Sequence, residues 1–369
     1  MTEGITWVGL DVHKANINVA MFGPLTPRAV QWQIANEPQA IRRMAKKFAR
    51  IGGGEIRVCY EAGPCGYVLQ RQLNSYEDIV CEVIAPSLIP AKAGDRVKTD
   101  RRDALKLAEL FRAGLLTEVH APSEDDEWVR DLCRAREDAK QDLLRCRHRL
   151  SKFFLRHGIR FDGCRPWSRR YMDHARKLKL ENATAQSVLD DYLLAVSQHD
   201  ERVLELERRM SDLADGDCYR ERASKLMCFR GIAVVTAMTI VAEIHDFSRF
   251  KSPRQLMAYL GVIPSECSSG GKENRGAITK TGNSHVRRVL VEAAWHYRHP
   301  PRVGVKLRKR REGQPGAVIA VADKAQRRIH RRYLRLSEKK PRNKATVACA
   351  RELVGFIWAV MQPESQAAA

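Results

Sequence analysis

Ile5-Thr6-Trp7-Val8-Gly9-Leu10-Asp11-Val12-His13-Lys14-Ala15-Asn16-Ile17-Asn18-Val19-Ala20-Met21-Phe22 is the stretch on which the reading of the N-terminal fold turns. Ile5–Val12 and Ile17–Phe22 are β-rich runs parted by a short polar turn, and Val30–Ala35 follows as a third. Together they predict a three-stranded antiparallel meander. A helix from about Pro38 to Arg50 comes next, stopped by Gly52-Gly53-Gly54. A strand over Ile56–Tyr60, a helix over Val68–Asn74, a strand over Ile79–Ile84 and a helix starting near Asp100 complete the first 120 residues. Three hairpin strands ahead of alternating α and β are not expected of an ordinary doubly wound sheet.

The order β-β-β-α-β-α-β-α is that of an RNase H-like domain, in which the first and fourth strands are neighbours. Asp11 ends the first strand, and Glu61 ends the fourth, in Cys59-Tyr60-Glu61-Ala62-Gly63. The pair is therefore expected side by side at one sheet edge. Asp100 and Asp103, in Lys98-Thr99-Asp100-Arg101-Arg102-Asp103-Ala104, have the i, i+3 spacing that puts both on one face of a helix start. Taken singly, a strand-end Asp is ordinarily a turn residue and Asp100 an N-cap. Four converging carboxylates, however, repel one another unless cations bridge them, and hard oxygen ligands suit Mg2+ or Mn2+. Ions so held polarise a phosphodiester and stabilise the attacking and leaving oxygens of an in-line displacement.

Further along, Trp128, Leu132, Ala135, Ala139, Leu143, Leu144, Leu150 and Phe154 mark one face of a long helix beginning near Asp125. A second long helix runs from about Ala183 to Leu213, and the loop between them contains Gly163 and Pro166. Such a pair is either an antiparallel coiled-coil arm or two ordinary bundle helices. Cys228-Phe229-Arg230-Gly231-Ile232-Ala233, leading into the apolar run Val234–Ile244, resembles a helix-hairpin-helix with an imperfect hairpin, Ala233 standing where a second glycine is usual. Helices near Pro253–Leu260, Ser284–Tyr297, Ala317–Leu336 and Ala345–Met361 make the C-terminal part mainly helical. The expected division is 1–121, an α/β RNase H-like catalytic domain; 122–216, a helical arm; and 217–369, a mainly α domain.

Charge narrows the partners. The chain carries a net charge of +21, with sixteen basic against three acidic residues between Arg302 and Lys344. The basic residues interleave with Val, Ala, Ile, Tyr and Leu at helical spacing, which favours a folded nucleic-acid face over a solvated tail. Arg308, Lys309, Arg310, Arg311, Arg327, Arg328, Arg331 and Arg332 are the candidates for backbone phosphates. Trp295, His296 and Tyr297 either fill the core, the preferred reading, or stack on bases. The ten cysteines include no Cys-x-x-Cys pair, so neither a zinc ribbon nor a disulfide framework is expected, and Cys59, Cys81 and Cys349 read as small core residues. The N-terminus lacks the pattern of a signal peptide and no apolar run suits a membrane span, so a cytoplasmic protein without membrane contact is expected.

Ser265-Glu266-Cys267-Ser268-Ser269-Gly270-Gly271-Lys272 would by composition be a flexible loop. Its neighbours give it a second reading, a hydroxyl on a glycine-permitted turn with Lys272, Arg275 and Lys280 close in sequence to meet phosphate charge.

The segments Gly9–Lys14, Tyr60-Glu61-Ala62-Gly63-Pro64-Cys65-Gly66-Tyr67 and Lys98–Ala104 resemble the three N-terminal motifs of the DEDD transposases, recombinases of the insertion-sequence one-ten group related to Piv-type DNA invertases. The resemblance continues at Phe250–Arg254, Tyr259–Ser265, Ser268–Lys272, Ile278–Asn283 and Val347–Leu353, leaving only the middle weakly matched. It implies a RuvC-like N-terminal domain whose Asp11, Glu61, Asp100 and Asp103 hold divalent ions. It also implies a catalytic serine that joins DNA covalently, here Ser269 with Ser268 as the alternative. The expected partners are donor and target DNA, a bridge RNA encoded in the element's own ends, and further copies of the chain. Those copies form a tetramer combining the acidic domain of one subunit with the serine domain of another. The rival readings are a RuvC-like metal-dependent DNA junction nuclease without a covalent serine, and a nucleic-acid-binding protein without activity.

Overall fold

The computed structural model describes residues 4–24, 28–52, 54–90, 100–266 and 274–363. The chain divides into two compact units, Met1–Pro122 and Ser123–Ala369.

In the first unit β1 (Thr6–Val12), β2 (Asn16–Phe22) and β3 (Val30–Ala35) form the antiparallel meander, followed by α1 (Pro38–Gly52), β4 (Ile56–Glu61), α2 (Val68–Leu73), β5 (Ile79–Ile84) and α3 (Asp100–Arg112). The sheet order is β3-β2-β1-β4-β5, with β4 parallel to both β1 and β5. Val8, Leu10, Ile17, Val19 and Met21 pack on α1 through Ile41, Met44 and Phe48 and on α2 through Leu69 and Leu73. The opposite face carries Trp7, Ala20, Phe22, Cys59 and Ile84 and is covered by Ala104, Leu107, Ala108 and Phe111 of α3. Helices therefore cover both faces of a mixed sheet, consistent with an RNase H-like domain.

Strand periodicity decides which face the acidic residues take. Trp7, Gly9 and Asp11 alternate with the core residues Val8 and Leu10, so they share the face that α3 covers. Gly9 makes the close approach possible, because a Cβ there would overlap the carbonyl oxygen of Ala104 and the amide nitrogen of Ala108. Asp100, Ala104 and Ala108 stand at i, i+4, i+8 on α3, so the stripe resting on Gly9 ends in Asp100 one turn before Ala104.

The second unit is mainly helical, with α4 (Glu124–Arg156), α5 (Arg169–Lys177), α6 (Ala183–Ala214), α7 (Asp217–Met227), α8 (Val234–Ile244) and α9 (Pro253–Tyr259). A short antiparallel hairpin, β6 (Pro264–Glu266) and β7 (Arg275–Ile278), precedes α10 (Ser284–Ala294), α11 (Val305–Arg311), α12 (Gly316–Ser337) and α13 (Arg342–Met361). α4 and α6 run antiparallel, since Val129 and Cys133 share a cluster with Met210 and Ala214 whereas Leu150 and Phe154 share one with Leu189. Their inner ends are built into the C-terminal core around α8, and their outer parts close a separate core with α5.

Three sequence expectations need correction here. Trp128 and Leu144 are exposed, and Val129, Cys133 and Cys146 join the expected Ala139, Leu143, Leu150 and Phe154 as buried positions on α4. The segment around Gly163 and Pro166 is followed by a helix, α5, started by Ser168, whose hydroxyl accepts from the Tyr171 amide. β6, β7 and α11 were not anticipated, being too short for periodicity to register. Cys59, Cys81 and Cys349 are buried as expected, and among the described residues no helix is long and apolar enough to cross a membrane.

Gly9→Ala is expected to destabilise the first unit by at least about 2 kcal/mol, since overpacking against backbone cannot be relieved by a rotamer change. Urea denaturation followed by circular dichroism checks this against Gly304→Ala, where a Cβ would meet nothing within 4 Å and little loss is expected. Equal stability of the two variants would contradict the packing described.

Candidate active site

Asp11 stands at the carboxyl end of β1 with its side chain 19% exposed. The turn that follows folds His13 back so that its Nε2 lies 2.9 Å from Asp11 Oδ2 and 3.6 Å from Asp100 Oδ2. That turn is held by the backbone, with the His13 amide donating to Asn16 O, and by the Asn36 Nδ2 donating to His13 O at 2.8 Å. Asp11, His13 and Asp100 offer ligand atoms that all lie within 4.8 Å of one another, which is the spacing of groups able to share one cation.

Burial raises the Asp11 carboxyl above its usual range, and the charges of Asp100 and Asp103 push the same way, while His13 opposes them. Mutual repulsion of this kind is relieved by a cation, and two carboxylates with room for water suit Mg2+ or Mn2+. Asp103, half-buried on the first turn of α3, contributes to this field. Glu61 ends β4 two residues beyond Cys59, which pairs with Gly9, so it falls on the α3 face beside Asp11. It is exposed and is not one of the three residues in the tight group. Beside the group lies a cavity of about 520 Å3, lined by Val12, His13, Lys14, Asn36, Cys65 and Gln72 among others. His13 was given no role by sequence reasoning, and its only signal was its position two residues after Asp11.

Ser268, Ser269 and Lys272 lie outside the described residues, in the connection between β6 and β7. Glu266 pairs with Arg275 across the strands, and their side chains approach to 3.6 Å. Gly261 and Gly282 both have positive φ, and a Cβ on either would overlap backbone, on Thr281 and Tyr259 respectively. Lys280 is exposed and also has positive φ, its amide donating to Gly261 O. Asn283 then caps α10, accepting from the Val286 amide, and donates to Glu243 Oε2 at 2.6 Å.

Glu243 is 4% exposed on the apolar helix α8 and receives two bonds from Arg134 of α4, at 2.8 and 3.0 Å. Burial would raise its carboxyl, but Arg134 and Asn283 outweigh that and hold it below the usual range. This tie between α4, α8 and the start of α10 was not foreseen; a single Glu inside Val234–Ile244 is the signal that marks it, because a buried charge needs a partner.

Of the basic candidates, Arg308, Lys309, Arg327, Arg328 and Arg331 are exposed, as is Arg275. Arg328 and Arg332 pair with Glu352, at 2.6 and 3.3 Å. Arg311 corrects the expectation: it is 7% exposed, donating to Cys228 O and pairing with Asp323, so it does not face solvent. Arg310 is half-buried and donates to Ile232 O at 2.7 Å, which ties α11 to the turn before α8. Four consecutive cations on a seven-residue helix cannot all point outward, and sequence alone did not reveal which turned in. Tyr297 is fully buried, Trp295 half-buried and His296 exposed.

Residues 8–158 match the transposase model of the IS110 DEDD type, and residues 223–304 match the model described as transposase of the IS116/IS110/IS902 family. A putative transposase, y4qE, of Sinorhizobium fredii is 42% identical over 365 residues, 98% of this chain and 89% of its own length. The transposase for insertion sequence element IS1533 of Leptospira borgpetersenii is 34% identical over 343 residues, 90% of this chain and 97% of its own. The transposase for insertion sequence element IS1328 of Yersinia enterocolitica is 26% identical over 209 residues, 54% and 59% of the two chains.

The chain belongs to the IS110/IS116/IS902 family of transposases. It is therefore an insertion-sequence transposase, an enzyme acting on DNA, and its DEDD domain implies a divalent metal.

The raised Asp11 carboxyl has a stability consequence with a definite sign. A carboxyl raised in the folded state binds its proton more tightly there than in the unfolded chain, so its ionisation costs folded stability as pH rises above the unfolded value, about 4. In buffer free of divalent ions, Asp11→Asn is expected to melt above the wild type at pH 7, the gain fading as pH falls toward about 4 and absent below it. Thermal melts from pH 3 to 7 check this, and a variant less stable than wild type at neutral pH would contradict it.

Proposed function

We propose that this transposase cuts and rejoins DNA using Asp11, Glu61, Asp100 and Asp103 as its metal-holding carboxylates and Ser269 as its nucleophile. The observation that carries the first half is the convergence of Asp11 and Asp100 around His13, from two elements distant in sequence. Bound divalent ions would supply stabilisation of the charge that develops on the phosphodiester oxygens. Asn36 and the backbone of Asn16 hold the His13 turn in place, and Lys14 lines the neighbouring cavity.

For the second half, the support is the motif Ser268-Ser269-Gly270-Gly271-Lys272 and its place between the two strands of a braced hairpin. Ser268 remains the alternative nucleophile. In the proposed step the Ser269 oxygen loses its proton and forms a bond to phosphorus, as the bond from phosphorus to a deoxyribose oxygen breaks and that oxygen takes up a proton. One phosphate ester replaces another, so resealing requires no external energy source. Arg275, Lys280 and the undescribed Lys272 would steady phosphate near the hairpin, while Arg308, Lys309, Arg327, Arg328, Arg331 and Arg332 follow the DNA or RNA backbone.

A bridge RNA from the element's ends, pairing with donor and target DNA, is part of the proposal and is supported by the net charge of +21. So is a tetramer that brings the acidic domain (1–121) of one subunit to the serine domain (217–369) of another, with 122–216 as the contact region. Relation to Piv-type invertases and a cytoplasmic site of action belong to the same reading.

The test is a trapping assay with the purified chain, Mg2+, labelled donor and target DNA, and RNA transcribed from the flanking noncoding ends. A protein–DNA adduct on a denaturing gel is expected, absent without RNA and reduced about a hundredfold or more in both Ser269→Ala and Asp11→Asn, as for loss of a major transition-state contact. Cutting that needs Asp11 but not Ser269, with no adduct, would overturn the serine step and leave a metal-dependent junction nuclease.

A further inference from the structure

A second candidate binding site lies in the C-terminal unit, where the chain leaving α10 meets the end of α12 and the start of α13. A cavity of about 530 Å3 is lined there by Trp295, Arg298, His299, Tyr333, Ser337 and Arg342. Its volume falls within the roughly 300–1,000 Å3 of small-ligand sites. None of the six side chains is acidic.

The pocket is built on fixed parts. Trp295–Arg298 form a 3-10 turn continuing α10, and the turn is anchored by Tyr297, fully buried, whose carbonyl accepts from His330 Nδ1 of α12 at 2.9 Å. Tyr333, 6% exposed, and Ser337 come from the last turns of α12. Arg342 is the first residue of α13, a 20-residue helix whose start follows Pro341 and has no side-chain cap. Uncapped amides at the start of a helix attract anions, and Arg342 adds a full charge beside them.

The lining combines an aromatic surface with basic side chains. Trp295 is half-buried and supplies an aromatic surface, with the Arg298 guanidinium 5.9 Å from its ring. Arg298 Nε donates to His299 Nε2 at 3.1 Å, which holds the guanidinium at the cavity wall. The charges of Arg230, His299, Arg298 and Arg310 add to burial, the larger cause, in lowering the pKa of the adjoining His296. A ligand matched to this lining offers a flat π-face to Trp295 and an anion to Arg298 and Arg342.

We infer that this pocket binds a single unpaired nucleotide of a DNA or RNA strand, the base against Trp295 and the phosphate toward Arg298, Arg342 and the start of α13. The inference goes beyond the catalytic reading, because it concerns strand recognition and uses none of the carboxylates. Inside a duplex both faces of a base are covered by its stacked neighbours, so an aromatic side chain in a pocket can stack only on a base that is unpaired or at an end. Phosphate contacts alone are satisfied by any positively charged surface; the aromatic side chain is what selects a single strand. Nothing in the lining separates ribose from deoxyribose, so both strands are candidates.

The test is equilibrium binding of the full chain to fluorescein-labelled ten-nucleotide oligo-dT and oligo-rU, and to a hairpin duplex of the same length. Trp295→Ala and Arg342→Ala are each expected to weaken binding to at least one of the single strands by about tenfold, the order found for loss of one stacked base. Trp295→Phe should retain most of the affinity, and duplex affinity should change less than twofold. Loss confined to the DNA or to the RNA strand supports the pocket and names its source. Parallel loss for single strand and duplex, or no loss in any arm, would overturn it. Should Trp295→Ala fail to fold, photocrosslinking of a bromodeoxyuridine or 4-thiouridine strand to the unaltered chain replaces it. A crosslinked peptide containing Trp295 is expected, and crosslinks confined to other peptides would overturn the inference. The readout is equilibrium binding without strand cutting, so failure of the catalytic reading leaves this result separately legible.

Discussion

The close contact between α3 and β1 over Gly9 is the constraint from which the arrangement of the acidic site follows. Without a side chain at Gly9, the backbone of α3 at Ala104 and Ala108 rests directly on the strand. Helical periodicity then places Asp100 one turn before Ala104, and strand periodicity places Asp11 two residues after Gly9 on the same face. The two carboxylates meet because two small residues and a glycine bring their backbones together. Burial and repulsion in this corner raise the Asp11 carboxyl, so the unliganded site is held in an unfavourable charge state by the packing around it. Stability is given up locally where negative charge is clustered.

In the C-terminal unit the corresponding role falls to an ion pair whose carboxylate, Glu243, is buried. Glu243 lies within the apolar helix α8 and is satisfied by Arg134 from α4 and by Asn283 at the start of α10. The same Asn283 caps α10, so one side chain couples the cap, the buried charge and the segment leaving the β6–β7 hairpin. Around it, Glu137 of α4 engages His285 and Arg288 of α10, extending the polar seam. Breaking such a pair leaves a buried charge without its partner, which costs far more than the pair itself contributes. The segment bearing the proposed nucleophile is thus mounted on a base that tolerates little displacement.

Much of the N-terminal fold was legible because its signals are strong ones. β2 is buried along nearly its whole length, and Gly52 to Gly54 interrupt the chain just where α1 ends. Asp11 and Glu61 were placed at the ends of neighbouring strands from the order of elements alone, and the β1–β4 register, Leu10 opposite Tyr60, puts them there. The part played by His13 was not legible, since its approach to both aspartates depends on a turn that Asn36, twenty-three residues away, helps to hold. On α4 the exposure of Trp128 was not legible, because the burying surface is set by α6, α7 and α8 rather than by the helix itself. For the basic helices, composition identified where positive charge gathers but not that Arg311 turns inward to Asp323. Which cation becomes a structural strut depends on a partner that only the tertiary fold supplies.

The claim that bears the most weight is that Asp11 and its neighbours hold divalent ions. Titration of the purified chain with Mn2+, followed by electron paramagnetic resonance of the free ion, measures this without reference to strand cutting. Saturable binding that is weakened at least about tenfold by Asp11→Asn and by Asp100→Asn, the order seen when groups supporting a metal are removed, is the expected result. Binding of equal strength in the wild type and both variants would show that the ions go elsewhere, and the acidic corner on β1 and α3 would then be a structural feature rather than a metal centre.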